Sequence, residues 1–266
     1  MKISKIFLYD EPAVQEIQIS NLKNFLTETF SIDVEIKKCI FNNLSEKTIE
    51  KISGCRIFDP KTPFTTHRPD RREIDFEKQV CQDTKMMEKT TMVEDAERIE
   101  DVVMYDAFKI QNVIYDTVTE NDVDSSNLHI IFTNKLICTY DTADGRYHAR
   151  TVICSNPAII STTGMIEAPA RPKEYYFEAM KCKMQGLSIH DAKKNYDQKF
   201  LNYHDKRLSK IAEGYLLQAV FYYISGDAFC NSLDCRLNNA HWQKDLLYSQ
   251  LKIGKLCNKH QALLDN

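Results

Sequence analysis

The stretch AVFYYISGDAFCNSLDCRL, residues 219–237, and the later KLCNKH, residues 255–260, together hold Cys230, Cys235, Cys257 and His260 in the pattern C-x4-C followed by C-x2-H. Zinc needs ligands that are deprotonated and converge tetrahedrally, and thiolates with a neutral imidazole meet both needs. Cys230 follows the predicted end of a helix, and the residues between it and Cys235 form a turn returning the second thiol to the same point. Cys257 and His260 make a second knuckle, and the segment 238–255 between the pairs is long enough for a helix and a return. The spacing predicts a structural zinc on these four residues, in a C-terminal knuckle over 226–266. His241, beside Trp242 and without a close ligand neighbour, is the other candidate for the fourth ligand. The alternative to zinc is two unrelated buried pairs of polarizable side chains.

Upstream, the chain from about Asp205 to Ser225 predicts a long helix with Ile211, Tyr215, Leu216, Ala219, Val220 and Tyr223 along an apolar stripe, capped by Gly226. Its length and glycine position are similar to the active helix of metzincin peptidases, H-E-x-x-H-x-x-G-x-x-H. There two histidines bind catalytic zinc, the glutamate is general base, and the glycine turns the chain towards a third histidine. With the cysteines that follow, the chain resembles the archaemetzincin branch, in which a C-x4-C pair just after the third histidine opens a structural zinc site and a C-x-x-C closes it. In that register Gly226 sits at the turn glycine, Cys230 and Cys235 at the first pair, Cys257 at the third cysteine, and His260 in place of the fourth. CRLNNAHWQ, residues 235–243, also resembles a segment of uncharacterised archaeal proteins grouped with metallopeptidases. The catalytic positions depart from the pattern. Ala219 and Tyr223 stand at the helix-histidine places, Val220 at the glutamate, Phe229 at the third histidine and Leu237 at the methionine of the Met-turn. The resemblance implies an α/β fold, a metzincin-like mixed sheet packed on helices with a zinc knuckle, lacking the catalytic residues of the motif.

Towards the N-terminus, residues 2–9 read as a strand, 17–30 as a helix with Ile17, Leu22, Phe25, Leu26 and Phe30 near one face, and 32–39 as a second strand. Right-handed crossover makes those strands parallel. Residues 59–94, rich in Pro, Thr and charge, predict a long surface insertion. Helical periodicity returns over 94–115; strands follow at 128–133, 136–140 and 147–154, with Asp144-Gly145 as a hairpin turn. The segment 158–168 reads either as an exposed edge strand to which a peptide adds or as a buried strand leading into a loop. Pro172 opens a helix reaching about Gln185, and Ser188 N-caps another. The whole of 1–266 reads as a single domain.

Composition narrows the function classes. A net charge of −3 over 266 residues argues against bulk nucleic-acid binding, and no apolar run approaches the ~20 residues of a membrane span. The start, MKISKIFLYDEP, meets Asp10 and Pro12 too soon for a secretory signal, so a cytoplasmic chain is expected. Its nine cysteines then read as reduced, with Cys39, Cys55, Cys81, Cys138, Cys154 and Cys182 in apolar packing. No P-loop, G-x-S-x-G or dinucleotide-binding glycine pattern is present. Two function classes stand: a non-catalytic peptide- or protein-binding relative stabilised by structural zinc, or an active zinc-dependent peptidase using other ligands. A third is an interaction protein with only a coincidental likeness to proteases.

Overall fold

The computed structural model describes residues 2–10, 14–82, 102–119, 124–187, 195–196 and 198–265. The opening β-α-β unit forms as its alternation demands. Strand β1 (Lys5–Tyr9) buries Ile6 and Leu8, helix α1 (Ile19–Phe30) buries Leu22 and Leu26, and β2 (Asp33–Lys37) pairs with β1 in parallel, Ile6 opposite Val34. On the other side of β1 lies β4 (Asn127–Thr133), also parallel, followed by β8 (Ala158–Ser161) and the short antiparallel β7 (Val152–Ile153). The resulting sheet has the order β2-β1-β4-β8-β7.

A second sheet, β3-β5-β6, is built from β3 (Met104–Asp106), β5 (Leu136–Asp141) and β6 (Arg146–Arg150). Strands β5 and β6 form the expected hairpin, with Gly145 at φ +69° in the turn.

Strands β4 and β8 are apolar on both faces because both faces are covered. Ile130, Phe132 and Ile160 pack with Leu22, Leu26, Ile211, Leu216, Ala219 and Val220 on one side. Ile131 and Ile159 pack with Ile52, Cys55, Cys81, Tyr105, Ile110 and Ile137 on the other. The first layer is α1 with helix α7 (Leu208–Ser225); the second includes helices α2 (Glu46–Ser53), α3 (Arg71–Gln82) and α4 (Ala107–Thr119). Helix α6 (Lys173–Met184) starts directly after Pro172, as expected. Five of the six scattered cysteines are buried, and Cys154 is half-buried.

Four expectations need correction or restriction. Residues 59–94 are not uniformly an insertion over the surface: they contain α3, whose Glu77 is fully buried. Periodicity over 94–115 reads as one helix, yet Met104–Asp106 pairs with β5 and the helix starts only at Ala107, where Asp106 accepts the N–H groups of Phe108 and Lys109. The strand expected at 147–154 is split at Thr151, which is anchored by its hydroxyl to Gly164 O, so the chain steps from one sheet to the other. Finally, 158–168 is no edge. Strand β8 is paired on both sides, and Thr162–Glu167 is a short helix, α5, capped by Ser161. The edge is β7. Residues 83–101, including the start of the helix expected over 94–115, and residues 188–194 lie outside the described residues; where the helix predicted after Ser188 is described, at 195–196 and 198–200, the chain forms turns instead.

Burying Glu77 requires compensating charge. Its Oε1 accepts Lys135 Nζ at 2.6 Å; Oε2 accepts Tyr105 OH at 2.9 Å and the Arg56 guanidinium. Desolvation alone would push its carboxyl up, but Lys135 and Arg56 hold it below its ordinary value of 4.5. Its contribution to stability is therefore complete above that value and is lost as pH falls through the lower folded value. Glu77→Gln strands two buried cations and is expected to cost about 3–5 kcal/mol, read as a lower urea midpoint at pH 7.

Candidate metal centre and adjoining cleft

Helix α7 ends where Gly226 adopts φ +78°. The chain then runs back along its own continuation: Cys230 bridges Asn238, and Cys230 N–H donates to Leu237 O at 2.9 Å. Asn238 Nδ2 closes this loop on the carbonyls of Cys230 and Ser232. Leu237 and Cys235 are fully buried against Leu217 and Phe221 of α7. Arg236 reaches back to Lys210 O and the Glu213 carboxylate, at 2.9 and 2.8 Å.

Helix α8 (Gln243–Leu247) continues as a π-helical turn over Tyr248–Ile253, and α9 (Asn258–Leu264) begins just after Cys257. The approach of the π-turn to α7 requires Gly214, since a Cβ there would lie 1.9 Å from Gln250 Oε1. Gln250 cannot easily retreat, because its amide bonds Arg236 on both sides.

These elements bring together the four residues expected from the sequence. The ligand atoms of Cys230, Cys235, Cys257 and His260 all lie within 4.8 Å of one another. Cys257 Sγ and Cys235 Sγ stand 3.1 and 3.6 Å from His260 Nδ1. Around a tetrahedral zinc, with Zn–S about 2.3 Å and Zn–N about 2.0 Å, ligand atoms are roughly 3.5–3.8 Å apart. The donor set and spacing thus fit a zinc-type metal bound through Nδ1. His260 is buried and meets Phe221 edge-on at 5.7 Å between ring centres.

The two thiols differ. Burial pushes Cys235 up to about 12. At Cys257 burial acts in the same sense, yet hydrogen bonds from the His260 backbone and from the His260 and Cys235 side chains bring it down to about 6.

His241 is not part of this group. A second cluster, Asp141, Asp144 and His148, sits at the β5–β6 hairpin. Asp144 already bonds His148 and Arg146 at 2.8 and 2.7 Å. Its spacing D-x2-D-x3-H around the Asp-Gly turn was the available sequence signal.

Beside the knuckle, a cleft of ≈ 480 Å³ opens between β6–β7 and the end of α7. The helix face lining it carries Tyr215, Gln218 and Tyr222. Ala219 and Val220 are instead fully buried in the core, and the Tyr223 hydroxyl donates to Ser125 O. The residues at the motif's two leading places therefore lie in the packing of α7 on the sheet. Gly226, Phe229 and His241 do line the cleft, together with Arg150. Sequence reading missed Gln218 and Arg150, since nothing in their local spacing distinguishes them.

A family model described as "Probable metallopeptidase family (DUF6775)" matches residues 2–266. No curated protein and no solved structure matches the chain.

In metal-stripped protein at pH 7, iodoacetamide is expected to alkylate Cys257 well before Cys235, as peptide mapping would show. Gly214→Ala is expected to cost about 1–3 kcal/mol by overpacking against Gln250, seen as a lower melting temperature.

Proposed function

Because the chain belongs to this probable metallopeptidase family, we propose that it is an archaemetzincin-like, non-catalytic member that binds extended peptides and holds a structural zinc at Cys230, Cys235, Cys257 and His260. The observation that carries this reading is a division of labour along one segment. The four soft ligands converge, whereas the motif places for the catalytic zinc ligands hold Ala219, Tyr223 and Phe229, and that for the general base holds Val220. Bound there, zinc would supply cross-linking between the end of α7 and α9, not an open coordination position.

The peptide site is the cleft. Among the described residues strand β7 is paired only with β8, which leaves its other edge to accept a strand-like ligand through main-chain hydrogen bonds. Phe108, Tyr222 and Phe229 are exposed apolar groups around the same cleft. The nine free thiols suit a reducing, cytoplasmic setting. Among the described residues no helix is long and apolar enough to cross a membrane.

The family's description favours a second reading, an active zinc-dependent peptidase with ligands outside the motif. Elemental analysis of tag-free protein separates the two. About one zinc per chain with no chelator-sensitive turnover of varied peptides is the expected result; two zincs, or turnover abolished by chelator and restored by zinc, would establish the enzyme. Cys230→Ser and Cys257→Ser are expected to release the metal and lower melting by on the order of 10 °C. Unchanged metal content and melting would remove the structural role.

A further inference from the structure

A guanidinium withdrawn from water needs a compensating anion or dense hydrogen bonding. Most of the arginines that are not fully exposed obey this rule. Arg56 meets Glu77, Arg171 meets Glu167 at 3.1 Å, Arg207 meets Asp205 at 2.6 Å, and Arg236 meets Glu213 at 2.8 Å. Arg150 is the exception. It is half-buried, its Nε donates to the neutral Thr139 hydroxyl at 2.7 Å, and among the described residues no carboxylate pairs with it.

Its place is informative. Arg150 ends β6 and lines the cleft two residues before Val152, the first residue of the β7 edge. The other charged or titratable groups lining that cleft are Asp227, His241, Cys154, Tyr215 and Tyr222. Asp227 is exposed, and its Oδ1 already accepts the Phe229 N–H at 3.1 Å.

A second observation comes from the α7 side of the cleft. Gln218 is 2 % exposed; its Nε2 donates to Asn238 O at 3.3 Å, and its Oε1 is buried with no donor among the described residues. An unpaired buried acceptor is costly, and a cleft-lining one is relieved by a ligand N–H, directly or through a bridging water. One side of the cleft thus lacks an anion and the other lacks a donor.

We infer that the cleft selects extended peptides carrying a carboxylate, which Arg150 binds through its two terminal nitrogens, while Gln218 receives a peptide N–H. This rests on the peptide-binding reading above and names the class of peptide. The carboxylate is supplied either by a peptide's C-terminus or by an Asp or Glu side chain; both present the same planar anion to the guanidinium.

The test is fluorescence anisotropy of the full chain, as purified, with N-terminally labelled hexapeptides at low salt. Four are compared: neutral and amidated, neutral with a free C-terminus, amidated with one Glu, and amidated with one Lys. At least one carboxylate-bearing peptide is expected to bind about tenfold tighter than the neutral amide, the size of a charge-assisted bond, and which one gains identifies the source. Arg150→Gln should erase that advantage, lowering affinity for the carboxylate-bearing peptide about tenfold more than for the neutral one, and Arg150→Lys should restore part of it. Equal binding of all four peptides by the unaltered chain, or an equal loss for neutral and acidic peptides in Arg150→Gln, overturns the inference alone. If no peptide binds, the inference falls together with the reading beneath it. Chelator-sensitive cleavage with the same carboxylate preference would replace that reading and leave the inference standing.

Discussion

The end of α7 is held by the chain that follows it, and the cleft takes its shape from that hold. A helix that stops at Gly226 has open carbonyls and no covalent reason to stay against the sheet. Here the returning segment packs on α7 at two points and is itself tied to the sheet side at a third. Leu237 fills the space beside Phe221, Arg236 spans to Lys210 and Glu213, and Gln243 bonds the carbonyls of Met165 and Ile166 while accepting from Leu201. The last of these ties the knuckle to α5, immediately after β8. The Cys230–Cys235–Cys257–His260 cluster lies outside this bracket, at the start of α9. Side-chain packing therefore braces one side of the cleft, and the β6–β7 step forms the other.

Charge follows the same economy of position. Glu77 sits in a stretch whose composition looks like surface, yet it is the anion that allows Arg56 and Lys135 to be withdrawn from water. Removing it would leave two buried cations facing Tyr105. Arg150 shows the opposite arrangement, a half-buried cation with a hydroxyl for a neighbour and a cleft in front of it. The contrast matters because both arginines occur in ordinary polar surroundings along the chain, and only their three-dimensional neighbours separate a structural ion pair from a group available to a ligand.

Much of the architecture was legible because it is written in local periodicity. KIFLY alternates, so β1 buries Ile6 and Leu8; Leu22 and Leu26 fall one turn apart, so α1 covers them. Gly226 capped α7 at the expected place because few other residues tolerate that backbone. The misreadings share a cause. β3 is too short to announce itself against a helical pattern, and the charged face of α3 hid its buried side. The rotation of α7 was also hidden: its apolar residues run round most of the helix beyond Gly214, which gives no sharp face, and Gln218 meets the cleft without any local signal to single it out.

By itself the sequence determined which three cysteines and one histidine come together near the C-terminus, the end of α7 and the parallel β-α-β opening, since each depends on spacing within a few turns or strands. Only the tertiary structure decided that β7 rather than β8 ends the sheet on its side, that Gln218 rather than Ala219 meets the cleft, and that Arg150 faces no carboxylate among the described residues. An edge, a face and a missing partner are properties of what lies alongside a residue, and those neighbours come from parts of the chain tens of residues away.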